Sequence, residues 1–168
     1  MGTAAVTVCS LNAPLRDSKR RLPCCAHVMD DRWEIEGLQN TAGSALRWLR
    51  KITGDEPSLP GGLIDAIREA GPVDGGIYFF PHLCGASAPY WDRDATGVFT
   101  GLTLKTQKSH LFRAVMEGVS FQTKTILEAI EETGVDIEEI RLSGGYSRME
   151  IWNRIQADIY GKPVVIRS

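Results

Sequence analysis

Leu142-Ser143-Gly144-Gly145-Tyr146-Ser147-Arg148-Met149-Glu150 decides how the rest of the chain is read. Residues 140–142 read as a short buried strand, the two glycines as a turn, and the residues after them as a helix. Ser147 and Glu150 stand in the S-x-x-E relation of a capping box, which predicts a helix starting at Ser147. A strand, a glycine pair and a new helix N-terminus let backbone approach a ligand closely. The helix end also offers free N–H groups and a partial positive charge to an anion, with nucleotides the obvious candidates. The same residues also describe a tight strand-to-helix connection that binds nothing, and a short glycine motif does not choose between the two.

Working outward, the helix runs to about Tyr160, Gly161 stops it, and a strand follows from Pro163 to Ile166. Upstream lies the longest element, from about Gln107 to Glu132. Its apolar residues Leu111, Val115, Val119, Ile126 and Ile130 share one face, with Phe112, Met116 and Leu127 alongside, so it belongs in the core. Thr106 or Ser109 is the expected cap, and Gly134 ends the helix. Strand, helix, strand with a crossover of this length predicts a parallel βαβ unit.

The first half reads as antiparallel. Residues 3–10 form a β-branched strand, and Cys24 to Met29 and Arg32 to Glu36 form a hairpin joined at Asp30-Asp31. Gly37 to Thr41 reads as a turn. Helices follow from about Ala42 to Ile52, ended by Gly54, and from about Leu63 to Ala70, with a proline- and glycine-rich linker over 55–62. Then come a short strand at Gly76 to Phe80, a long irregular loop at Pro81 to Gly97, and a strand at Val98 to Leu104. The class is mixed α/β. Strands so close to both ends predict bare sheet edges, and hence a domain cut at both ends.

The chain has 168 residues, the size of one domain, with 43% hydrophobic and 24% charged residues and a net charge of -2. No basic stripe points to nucleic acid, and no apolar run reaches the ~18 residues of a membrane span. Cys9, Cys24, Cys25 and Cys84 form no C-x-x-C pair, and the three histidines show no ligand spacing, so free thiols in a reducing cytoplasm are expected. Asp30-Asp31 and the Asp92-x-Asp94 pair are read as turn residues rather than metal ligands. Gly2-Thr3, Gly43 and Gly144-Gly145 are backbone-rich places that would suit a phosphorylated ligand if the fold brings them together.

At this point the residues resemble a known pattern, the C-terminal lobe of the FGGY carbohydrate kinases, the family of xylulokinase, gluconokinase and glycerol kinase. Gly97-Val98-Phe99-Thr100-Gly101-Leu102, followed after seven residues by His110 to Glu117, is similar to the family's second signature. Ala88 to Asp92 is similar to the stretch before it. Ser143 to Val164 resembles the adenosine motif and the strand beyond, Gly2-Thr3 the second phosphate-binding turn, and Gly37 to Trp48 the segment leading to the nucleotide side. The likeness covers nearly the whole chain, residues 1–168.

The resemblance implies a ribonuclease-H-like lobe of the actin-type ATPase class, with a mixed sheet and flanking helices. It implies ATP with Mg2+, a small sugar or polyol as acceptor, and room for a homodimer. It puts Gly2 and Thr3 at a phosphate, Gly43 and Arg47 on the nucleotide side, and Gly144 and Gly145 against the adenosine. Met149 takes a position where the family often has a small polar residue, which leaves packing rather than hydrogen bonding there. The family's catalytic aspartate lies upstream of the Gly-Thr turn, so no residue of this chain matches it, and the chain alone is expected to be inactive. A non-catalytic nucleotide-binding or interaction module that needs a partner lobe is the alternative.

Overall fold

The computed structural model describes residues 3–55, 61–70 and 76–166. The antiparallel first half is present. Strand β1 (Ala5–Leu11) and the short β2 (Cys24–Ala26) flank β3 (Trp33–Gln39), giving a sheet of order β1-β3-β2. The register pairs Ala5 with Gln39 and Leu11 with Trp33, and Cys24 with Ile35. The aspartate pair turns the β2–β3 hairpin, with Asp31 at φ 56°.

β3 runs three residues further than the sequence suggests. Gly37 is not a turn residue but a strand residue paired with Thr7. A Cβ there would overlap Ile126 Cγ2, so glycine is what allows the long helix to press on the strand.

Helix α1 (Gly43–Thr53) buries Ala45, Leu46 and Leu49 and ends in the left-handed Gly54, whose N–H donates to the carbonyls of Arg50 and Lys51. α2 (Gly61–Glu69) buries Ile67. β4 (Tyr78–Phe80) and β5 (Val98–Thr100) pair antiparallel, and the long loop between them is tied back to the end of β3. Asn40 Nδ2 donates to the Cys84 carbonyl at 2.9 Å, Ser87 Oγ to Asn40 Oδ1 at 2.7 Å, and Thr41 Oγ1 to the Pro81 carbonyl.

Helix α3 (Lys108–Glu131) is the spine of the molecule. Phe112, Val115, Met116, Val119, Ile126 and Ile130 on it are fully buried, as the apolar stripe predicts. Its cap is neither Thr106 nor Ser109. The Gln107 N–H donates to His110 Nδ1 at 3.1 Å, while Thr106 Oγ1 is occupied by the Thr103 N–H.

β6 (Ile140–Leu142), α4 (Glu150–Tyr160) and β7 (Val164–Ile166) make the expected βαβ unit, with β6 and β7 parallel and Gly161 in the left-handed region after α4. β6 is half-buried rather than buried. One apolar core joins α1, α2, β4, α3 and α4, and a second lies between β3, α3 and Leu22.

Candidate functional site

The glycine turn that opened the sequence reading has a different local structure from the capping box. Gly144 sits at φ 96° and ψ 178°, a conformation that only glycine adopts readily. A 3₁₀ turn, Gly145–Arg148, follows before α4 starts at Glu150. Ser147 does not cap α4. Its Oγ donates back to the Gly144 carbonyl at 2.7 Å, and its own carbonyl accepts from Asn153 Nδ2 at 2.7 Å. Glu150 pairs instead with Arg154 on the exposed face of α4. The serine therefore closes the turn, and the helix takes Met149 as its first cap residue.

Gly144 and Gly145 are exposed, and a Cβ at Gly145 would meet nothing within 4 Å. Their backbone is open to an approaching molecule. Tyr146 and Met149 anchor the turn from below by packing on the apolar core beneath α1, α3 and α4. Tyr146 also meets Trp152 edge-on, with ring centroids 5.5 Å apart.

Thr3 and the first turn of α1, far apart in sequence, do come together. The Thr3 carbonyl accepts the N–H groups of Ala42 at 3.1 Å and Ser44 at 3.3 Å, and the Ser44 hydroxyl at 2.7 Å. A backbone carbonyl from the lead-in to β1 therefore caps α1, which has no side-chain cap of its own. Gly43 lies buried between those two donors, and Arg47 stands exposed one turn further on. Gly2 lies outside the described residues.

The α1 group and the glycine turn rest on the same core: Ala42, Ala45 and Leu46 on one side, Tyr146 and Met149 on the other. The sequence points to each residue separately. The main-chain bond that joins Thr3 to α1 carries no sequence signature.

The other candidate residues are structural. Asp92 Oδ1 accepts the Asp94 N–H at 2.9 Å, a local turn. All four cysteines are free thiols. Among the described residues no group of three or more His, Cys, Asp or Glu could hold a metal ion. A cavity of about 520 Å³ lies on another side of α3, between Phe79, His82, Tyr90, Glu117 and Phe121, and takes no wall from the site residues. Burial pushes the His82 imidazole below its ordinary pKa, partly opposed by Asp92. No helix among the described residues is long and apolar enough to cross a membrane.

Comparison with known proteins agrees with this architecture. The model of the FGGY family of carbohydrate kinases, C-terminal domain, matches residues 1–168. A glycerol kinase of Acaryochloris marina is 33% identical over 97% of this chain, and a gluconokinase of Bacillus subtilis 32% identical over 99%. This chain spans 34% of the length of each. Among solved structures, a xyloylose kinase from Brucella ovis superposes with a TM-score of 0.89 at 29% identity, covering 99% of this chain and 34% of the other. Plasmodium falciparum glycerol kinase with ADP superposes with a TM-score of 0.84 at 25% identity, covering 99% and 34%. The mixed sheets, the flanking helices and the order of elements thus have the ribonuclease-H-like, actin-type form, and the chain belongs to the FGGY family of carbohydrate kinases, matching its C-terminal domain.

Proposed function

We propose that this chain is the nucleotide-side lobe of an ATP-dependent carbohydrate kinase, which moves the γ-phosphate of ATP to a hydroxyl of a sugar or polyol. The observation that carries the reading is the main-chain bond from Thr3 to the first turn of α1, which sets Thr3 beside Gly43 at one helix N-terminus, with Arg47 one turn further along. In this reading Gly2 and Thr3 face a phosphate, and Gly43 and Arg47 flank the nucleotide. The exposed backbone of Gly144-Gly145 lies against the adenosine, with Met149 packing below it. The open space over Gly145 supports that role.

Phosphoryl transfer needs positioning and charge stabilisation more than covalent chemistry from the protein. This chain's groups would supply the positioning. The carboxylate that takes the proton from the attacking hydroxyl comes from outside it. Magnesium, when bound, would neutralise charge on the nucleotide phosphates. Four free thiols suit a reducing, cytoplasmic setting.

Calorimetric titration of the 168-residue chain with a non-hydrolysable ATP analogue and magnesium tests the reading. Arg47→Ala should weaken binding about tenfold, as loss of one charge-assisted contact of about 1.4 kcal/mol. Gly145→Val should weaken it without changing the unfolding midpoint. Wild-type affinity in both variants, or sugar phosphorylation by the purified chain alone, would overturn it.

A further inference from the structure

A cavity of about 540 Å³ opens at the far end of β1, between the loop over residues 14–24, Trp33 and Trp91. Trp33 pairs with Leu11, the last residue of β1, so the cavity lies about 20 Å along that strand from its Thr3 end. None of the proposed nucleotide-side residues lines it. Its walls combine two chemistries. Three guanidiniums, those of Arg16, Arg20 and Arg21, stand against one carboxylate, that of Asp17. Asp17 is buried and committed to Arg21, accepting its main-chain N–H at 2.7 Å, its Nε at 3.1 Å and its Nη2 at 3.1 Å. Behind the wall, Glu132 pairs with Lys19 and again with Arg21. The guanidiniums of Arg16 and Arg20 make no ion pair or hydrogen bond with any described residue. Two uncompensated positive charges therefore line one cavity, in a chain whose net charge is -2.

The second chemistry is aromatic. Trp33 is half-buried, and Trp91 is 52% exposed. Trp91 Nε1 donates to the Arg21 carbonyl at 2.7 Å, which ties the indole to the arginine loop while leaving much of the ring uncovered. Backbone strain marks the same place. Three non-glycine residues among the described ones have positive φ. Asp31 is one, in the β2–β3 turn. The other two, Arg20 at 57° and Trp91 at 55°, both line this cavity. The left-handed region is unfavourable for large side chains and open to glycine, and such strain concentrates at binding sites. Here it falls on one residue that gives the cavity its charge and one that gives it aromatic surface.

We propose that this cavity binds a small phosphate monoester carried on a ring. The phosphate bears close to two negative charges at neutral pH and matches the two unpaired guanidiniums, which hold it through charge-assisted N–H···O bonds. The ring packs on Trp33 and Trp91, its partly positive C–H groups meeting the negative faces of the indoles. Inorganic phosphate satisfies only the charged part of the wall, and an uncharged ring only the aromatic part. The cavity has the volume of an ordinary small-molecule site.

Calorimetric titration of the 168-residue chain with phenyl phosphate, cyclohexyl phosphate and inorganic phosphate tests this, with tryptophan fluorescence read in parallel. At least one ester should bind about tenfold more tightly than inorganic phosphate and shift the tryptophan emission. The better of the two esters shows whether the ring is planar or saturated. Arg20→Gly should weaken ester binding about tenfold or more while the chain stays folded, since glycine adopts the same φ freely. Arg16→Gln should weaken it similarly, and Trp91→Leu should remove the preference for an ester over inorganic phosphate. No saturation by either ester below about 10 mM, inorganic phosphate binding as tightly as both esters, or unchanged affinity in Arg20→Gly or Arg16→Gln would each overturn the proposal. Arg47→Ala, which weakens the nucleotide in the kinase reading, should leave ester binding as it is. Loss of ester binding in that variant would put the ester on the nucleotide side and refute this site without touching the kinase reading.

Discussion

Gly118→Ala sets two known effects against each other in the middle of α3. Replacing a helix-interior glycine by alanine ordinarily stabilises by about 1 kcal/mol. Here the added Cβ would overlap the Phe79 carbonyl oxygen and stand 3.0 Å from its carbon and 3.2 Å from the Phe79 Cβ. The obstacle is main chain, and it has no room to retreat. Phe79 is 4% exposed, pairs with Phe99 in the β4–β5 ladder, and its ring lies 4.5 Å from that of Phe99 and 6.2 Å from that of Trp48. Overpacking costs about 1–3 kcal/mol, and a main-chain clash belongs at the upper end. Subtracting the helix gain leaves a net loss of about 2 kcal/mol. With an m-value of about 2 kcal/mol/M, the urea midpoint followed by far-UV circular dichroism should fall by about 1 M. Gly62→Ala in α2, where a Cβ meets nothing within 4 Å, is the control and should raise the midpoint slightly. A Gly118→Ala midpoint at or above wild type, with m unchanged, would refute the close approach of α3 to β4.

Two further perturbations probe buried polar groups. Trp152 is fully buried, and its Nε1 donates to the Met116 carbonyl at 3.1 Å and to Ser120 Oγ at 3.2 Å. Trp152→Phe should cost about 2–4 kcal/mol through lost volume and lost hydrogen bonds, and a thermal midpoint lowered by less than about 2 °C would contradict that. Asp17 is buried beside Arg21, whose side-chain hydrogen bonds hold the carboxyl down to about 2 from 3.8. A carboxylate depressed in the folded state adds stability above its unfolded pKa and loses it as pH falls. Wild type should therefore exceed Asp17→Asn in urea midpoint at neutral pH, with the gap closing between about pH 4 and pH 2. A gap constant across that window would mean the ion pair contributes nothing.

What the sequence revealed was periodicity. The stripe of α3, the hairpin at Asp30-Asp31 and the parallel βαβ unit all follow from spacing, and all are present. What it hid was close approach. Gly37 looked like a breaker because glycine usually is one, yet it is a strand residue that makes room for Ile126, and Gly118 makes room for Phe79. Capping was misread for a related reason. Ser147 and Glu150 have the right spacing, but the turn before them already uses the serine hydroxyl, and Arg154 takes the glutamate. The contact between Thr3 and the first turn of α1 was not legible. The contact runs through the Thr3 carbonyl, an atom that every residue has.

The stretch most specific to the family, Gly97 to Glu117, is chiefly packing in this molecule. A Cβ at Gly97 would stand 2.5 Å from Leu83 Cδ2, and Gly101 sits at φ 81° with its open side against the Gly76 carbonyl. Phe99 stacks into Phe79 and Trp48, His110 caps α3, and Arg113 pairs with Glu117 at 2.7 Å. These residues hold β5 and α3 against β4, and substitution there should register first as lost stability. Thr3, Arg47, Gly144 and Gly145 are the reverse case. They are exposed, so under the proposed kinase reading substitution at Thr3, Arg47 or Gly145 should perturb little of the core and register in nucleotide binding, whereas at Gly144, with φ 96°, it would also strain the turn. Family specificity in a motif and the proposed contact with a nucleotide would then be separate properties. The two groups of variants should sort accordingly, the first on a denaturation axis and the second on a binding axis.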